Sequence, residues 1–175
     1  MKNQAKTVKI VLTGVFIALG IILPFLTGQI QGIGNKLLTM HIQVLLCGFV
    51  CGGYCGLAAG FIIPLLRSLL YGMPPMFPVA VSMAFELCTY GLVSGILYKR
   101  LPRKNWSVYA ALITAMIAGR IVGGAANVVL YGMQGNAYSV KMFLAGMFLN
   151  ALPGIVLQLV LIPVIVMLLK KAKIV

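Results

Sequence analysis

Leu66-Arg67-Ser68-Leu69-Leu70-Tyr71-Gly72-Met73-Pro74-Pro75-Met76-Phe77-Pro78-Val79-Ala80-Val81-Ser82-Met83-Ala84-Phe85-Glu86-Leu87-Cys88-Thr89-Tyr90-Gly91 holds the end of one apolar run, a proline-rich break and the start of another. Pro74, Pro75 and Pro78 forbid a regular helix between the runs, because proline lacks the backbone donor and clashes with the preceding turn. The runs themselves read as membrane-crossing helices. Two charges stand inside them, Arg67 and Glu86, and Glu86 is the only acidic residue in 175. A charge at membrane depth costs about 2.5–3.5 kcal/mol on insertion scales and faces the bundle interior when present. A lone carboxylate in such surroundings calls for a partner.

The whole composition agrees with that reading. Hydrophobic residues make up 62% of the chain and charged residues only 9%, where a soluble domain carries about a quarter. The net charge of +13 does not indicate nucleic acid, because the cations sit in short clusters between apolar runs. Lys2, Lys6 and Lys9 form one cluster, Lys99, Arg100, Arg103 and Lys104 a second, and Lys170, Lys171 and Lys173 a third. That is the pattern of cytoplasmic membrane flanks, with anionic lipid as the neighbour. The first run ends without a small-x-small cleavage site, so it is expected to be a retained span rather than a signal peptide.

Six apolar runs are expected to span the membrane, at approximately 7–26, 38–52, 54–71, 79–98, 107–131 and 142–169. The division between the second and third is placed at Cys51-Gly52-Gly53-Tyr54-Cys55-Gly56, where glycines permit a tight turn. Both termini and the loop between runs four and five are basic, while the opposite loops hold only Lys36 and Lys141. The expected fold is therefore an all-α integral membrane protein: one domain, 1–175, of six transmembrane helices with both termini cytoplasmic. No internal repeat is evident.

With this topology, Arg67, Glu86, Arg120, Asn127, Asn150 and His41 fall in the outer half to midplane, and Gln158 lies nearer the inner side. Arg67 and Arg120 are both possible partners of Glu86, with Arg67, nearer the loop, favoured. Two arginines sharing one carboxylate leave a surplus positive charge, which suits a ligand bearing a carboxylate or an electronegative heterocycle. The competing reading is a buried ion pair that sets helix register. Arg120 and Asn127 are seven residues apart, two turns of one helix face. His41 at a helix end meets either interfacial water or the ligand. Tyr71, Tyr131 and Tyr138 suit an interfacial belt. Met73, Met76 and Phe77 either rest on lipid or form a lid over a pocket. Gly14 and Ala18, four residues apart, allow close approach of another helix, inside the bundle or outside it.

Other chemistries lack their residues. There is no phosphate-binding Gly-x-x-x-x-Gly-Lys. One acid and one histidine leave no catalytic dyad and no metal site. Cys47, Cys51 and Cys55 repeat every four residues and line one face if the helix is continuous; with Cys88, they read as small packing residues. No enzyme, metal or cofactor is expected. The chain reads as a binder that another component powers.

Leu12-Thr13-Gly14-Val15-Phe16-Ile17-Ala18-Leu19-Gly20-Ile21-Ile22-Leu23-Pro24, Met40-His41-Ile42-Gln43-Val44-Leu45-Leu46-Cys47-Gly48-Phe49, Gly56-Leu57-Ala58-Ala59-Gly60-Phe61 and the proline loop with Glu86-Leu87 together resemble the S components of energy-coupling factor (ECF) transporters, the membrane subunits that capture vitamins for bacteria. The resemblance covers nearly the whole chain. It implies a six-helix bundle with a substrate pocket near the outer face, closed by the loops between spans one and two, three and four, and five and six. It implies a transmembrane coupling subunit and two ATP-binding subunits as partners, in the bacterial plasma membrane. It also implies that Gly14 and Ala18, standing where the family usually has Ala-x-x-x-Ala, face the coupling subunit. Related sequences often read His-Ile-Pro-Val; here Gln43 replaces the proline and adds a donor and an acceptor.

The function expected on this basis is capture of a small vitamin or precursor from outside and its delivery inward. Pantothenate is favoured for its acid group, ahead of pyridoxine and thiamin precursors. The substrate-binding set is Arg120, Asn127, Asn150, Glu86, Arg67 and His41, with Arg120 contacting the substrate. The alternatives are a stand-alone carrier and a structural membrane subunit whose buried charges only lock helices together.

Overall fold

A computed structural model describes residues 2–28, 39–102, 104–135, 139, 142 and 151–172. In chain order these form α1 (Lys2–Gly28), α2 (Thr39–Cys51), α3 (Gly53–Tyr71), a π turn at Met76–Ala80, α4 (Val81–Arg100), α5 (Asn105–Met133) and α6 (Leu152–Lys171). Among the described residues there is no strand. Five helices are long and apolar enough to cross a membrane. The exception is α2, with 13 residues. At ~1.5 Å per residue it rises only ~20 Å, against ~30 Å of hydrocarbon.

Length does not make α2 peripheral. All its residues except Thr39 and Val50 are buried, and it lies against α1, α3, α4 and α6. A helix apolar on every side needs neighbours on every side, and Val44, Leu45 and Cys47 accordingly have no exposed surface. The break after it falls at Gly52, whose φ of 100° lies where a Cβ would clash. That break, at the expected place, separates Cys47 and Cys51 on α2 from Cys55 on α3, so one helix does not carry all three cysteines. All four cysteines are free thiols.

Local backbone chemistry sets the other helix boundaries. Helical hydrogen bonding begins inside the proline loop, where the Ala80 N–H donates to the Pro75 carbonyl at 2.9 Å. Phe77 is still extended, with φ −124° and ψ 131°, so the bar against helix ends there. Pro78 is tolerated because the first turn has no use for its missing donor. Of the expected span 142–169, the structure describes the helix from Leu152, with Pro153 in its first turn. Residues 143–150, which include Asn150, lie outside the described residues, as does Tyr138. α5 runs two residues further at each end than the expected 107–131.

Glycines set how closely the central helices approach. A Cβ on Gly56 of α3 would lie 2.6 Å from the Gly91 carbonyl of α4 and 2.8 Å from the Cα of Gly48 on α2. A Cβ on Gly91 would in turn collide with the Gly56 backbone. Gly60 meets the Leu87 backbone, and Gly95 meets Gly53 in the same way. Three helices thus touch backbone to backbone. Small residues permit this approach, and close van der Waals contact drives helix association in a bilayer, where lipid is as apolar as the side chains. Gly91→Ala is expected to lower stability by about 1–3 kcal/mol through overpacking. A Cβ on Gly14 would meet nothing within 4 Å, so Gly14→Ala is expected to change stability by less than about 0.5 kcal/mol. Thermal unfolding of the two variants in detergent checks both. Equal midpoints would show that α3 and α4 are not in backbone contact.

Candidate functional site

The close approach of α2 and α4 brings the single carboxylate to the single histidine. Glu86 and His41 are both buried, and His41 Nε2 lies 3.9 Å from Glu86 Oε1. That distance is too long for a hydrogen bond. The bond to Glu86 Oε1 comes from Tyr90, whose hydroxyl donates at 2.8 Å. Glu86 and Tyr90 are four residues apart and share one face of α4. The Tyr90 ring also lies against His41, with centroids 5.6 Å apart and planes tilted by 58°.

The opposite wall belongs to α5. Gly119 and Gly123 leave room for what α4 projects. A Cβ on Gly119 would collide with the Tyr90 ring, and one on Gly123 would lie 2.9 Å from the Glu86 Cβ. Arg120, between these glycines, is buried, and its charge acts on Glu86, His41 and Tyr90. Asn127 is buried on the same helix face, two turns further along. Four of the sequence-derived site residues, His41, Glu86, Arg120 and Asn127, are therefore buried on α2, α4 and α5. Among the described residues, no three His, Cys, Asp or Glu side chains gather as a metal site needs.

Two expectations require correction. Arg67 is not the partner of Glu86. Among the described residues, the groups bearing on Glu86 are Tyr90, His41 and Arg120. Arg67 is half-buried, and the group bearing on it is Tyr71. The reason is the helix crossing: Gly60 on α3 meets Leu87 on α4, beside Glu86, while Arg67 lies about 10 Å further along α3. His41 is not at interfacial water either, with only 3% of its surface exposed. Because α2 is short and enclosed, its first turn lies inside the bundle. Met73, Met76 and Phe77 are exposed at the proline loop. Gln158 is fully buried, and among the described residues neither side-chain amide atom has a hydrogen-bond partner.

Tyr90, Gly119 and Gly123 escaped the sequence reading. The i, i+4 relation between Glu86 and Tyr90 was an available signal. Gly119-x-x-x-Gly123 is a small-residue pair like Gly14-x-x-x-Ala18, but the Gly119 pair is enclosed and the Gly14 pair exposed.

A polar cluster inside a small apolar bundle is compatible with several roles, and comparison with known proteins narrows them. The family model of the ECF transporter substrate-specific component matches residues 8–166. The chain belongs to this family. It is a multi-pass membrane protein and the substrate-binding subunit of an ECF transporter, a transport component rather than an enzyme. Neither the curated proteins nor the solved structures yield a match.

In this S component the Tyr90–Glu86 hydrogen bond is enclosed, so losing it leaves a buried acceptor short of a donor. Tyr90→Phe is expected to cost about 1–3 kcal/mol. Arg67→Gln breaks no carboxylate pair and is expected to cost less than about 1 kcal/mol. Unfolding midpoints of the two variants in detergent give the comparison, and the reverse order would restore Arg67 as the partner of Glu86.

Proposed function

We propose that this S component captures a small vitamin or vitamin precursor at the cluster of His41, Glu86, Arg120 and Asn127. The observation that carries the reading is His41 Nδ1. It is buried without a hydrogen-bond partner among the described residues, beside a buried carboxylate and a buried guanidinium. An unmet polar atom in a dry interior is costly, and a polar ligand would satisfy it. Arg120 supplies a planar fork suited to a carboxylate, so an acid such as pantothenate remains the favoured substrate. Asn127 lies along the entry path, and Asn150 is a further hydrogen-bonding residue of the sequence-derived set. Arg67 serves the rim near the loop, and Met73, Met76 and Phe77 close over the bound molecule.

The orientation that suits this reading has six crossings, the short α2 included, with both termini cytoplasmic in a bacterial plasma membrane. Lys99, Arg100, Lys170 and Lys171 then lie at one end of the bundle. The substrate enters from outside and leaves inward through a transmembrane coupling subunit driven by two ATP-binding subunits. Gly14 and Ala18 form the docking face for the coupling subunit. Both are exposed on α1, whereas Gly20 turns inward against Ile63.

A second reading has support in the Tyr90–Glu86 hydrogen bond, which could serve as a structural lock alone. Substrate affinity separates the two. Small molecules that co-purify with the protein are identified by mass spectrometry, and their binding is then measured by calorimetry. Arg120→Lys is expected to weaken binding at least tenfold, about 1.4 kcal/mol, and Arg67→Lys by less. Normal binding by both variants would reduce the cluster to scaffolding. Replacing Gly14 or Ala18 with Leu is expected to stop transport in the assembled complex while leaving the affinity of the isolated subunit unchanged. An equal loss of affinity would assign that face to internal packing.

A further inference from the structure

The other end of the bundle carries a second polar feature that substrate capture does not use. A cavity of ≈ 580 Å³ is lined by Lys9 of α1, Cys51 and Gly52 at the end of α2, Gly53, Tyr54 and Cys55 in the first turn of α3, and Gly95, Ile96, Lys99 and Arg100 of α4. It lies about 20 Å along α4 from Glu86. Three cations from two helices converge there, and all three are exposed. No carboxylate side chain of this chain can neutralise them, because Glu86 is the only acid and is enclosed with Tyr90. The first turn of α3 adds to the positive field. Its N-cap, Gly52, offers no side-chain hydrogen bond, and helix N-termini favour anions.

We propose that this cavity seats the phosphate headgroup of an anionic phospholipid. The apolar surface beside it distinguishes a lipid from free phosphate. Tyr54, Leu57 and Phe61 are all exposed, and their spacing of three and four residues puts them on one face of α3. This stripe starts at the cavity and runs toward the middle of the membrane, along the path an acyl chain would take. Gly53 and Gly95 touch backbone to backbone and, with Ile96 beside them, close the floor of the cavity. A diffuse basic surface attracts anionic lipid at any position; a cavity with an adjoining apolar stripe holds one molecule in place.

The test uses the purified full chain in detergent. Native mass spectrometry counts retained phosphatidylglycerol, with phosphatidylcholine and inorganic phosphate as separate arms. One phosphatidylglycerol is expected to remain bound under conditions that strip phosphatidylcholine. Affinity is expected to fall about fivefold for each cation removed, in Lys9→Gln and in the Lys99→Gln/Arg100→Gln pair. Lys170→Gln/Lys171→Gln removes as much charge from α6, outside the cavity, and is expected to retain the lipid. Lipid-free unfolding midpoints verify that the variants fold, and Lys9→Gln alone decides if the double variant does not. Equal losses in both double variants would overturn the site in favour of diffuse attraction. Retention of inorganic phosphate without phosphatidylglycerol would overturn the lipid assignment.

Discussion

Gly56 and Gly91 meet without side chains between them, and Gly48 closes the same contact from α2. The placement of the other groups follows from this approach. A methyl on any of the three would push the helices apart, and the short α2 would lose the walls that enclose it. With the contact made, the first turn of α2 is held beside the second turn of α4. His41 thereby comes within 3.9 Å of Glu86, although they stand far apart in the chain, on either side of α3. Gly119 and Gly123 repeat the device between α4 and α5, and Arg120 enters the same space because it lies between them.

This packing explains why the only acid occupies an apolar stretch. In a low-dielectric interior a carboxylate needs donors and cations nearby. Tyr90 supplies the donor from the same helix, and Arg120 supplies the charge from the next one. The remaining cations at Lys9, Lys99 and Arg100 lie too far along the bundle to compete for it. The chain thus separates two electrostatic regions, an enclosed one built around Glu86 and an open one that is wholly basic.

The division suits a subunit of an ECF transporter. A binding subunit must hold a small molecule away from water and yet present a plain outer surface to lipid and to its partners. Exposed Val8, Val11, Val15 and Ile22 give α1 an apolar outer face, with Gly14 and Ala18 as shallow points on it. Polar residues turn inward on α2, α4 and α5, where small-residue contacts keep the interior tight.

The fold class was legible in composition and punctuation. Long apolar runs must become helices in a bilayer, since every backbone donor and acceptor needs an internal partner. The proline loop and Gly52 marked breaks through local backbone chemistry, which sequence displays directly. Glu86, Arg120, Asn127 and His41 could be singled out for a similar reason: polar groups in apolar runs are costly wherever the chain goes. Partnership was not legible. Arg67 is nearer to Glu86 in sequence than Arg120 is, yet the crossing at Gly60 and Leu87 carries Arg67 past it. Whether His41 met water depended on how many helices surround α2, and periodicity cannot report that for a helix apolar on all sides. Which helix faces touch is decided by the sum of many backbone and side-chain contacts between distant segments. That sum exists only in the folded bundle, and it chose Tyr90 and Arg120 as the neighbours of Glu86.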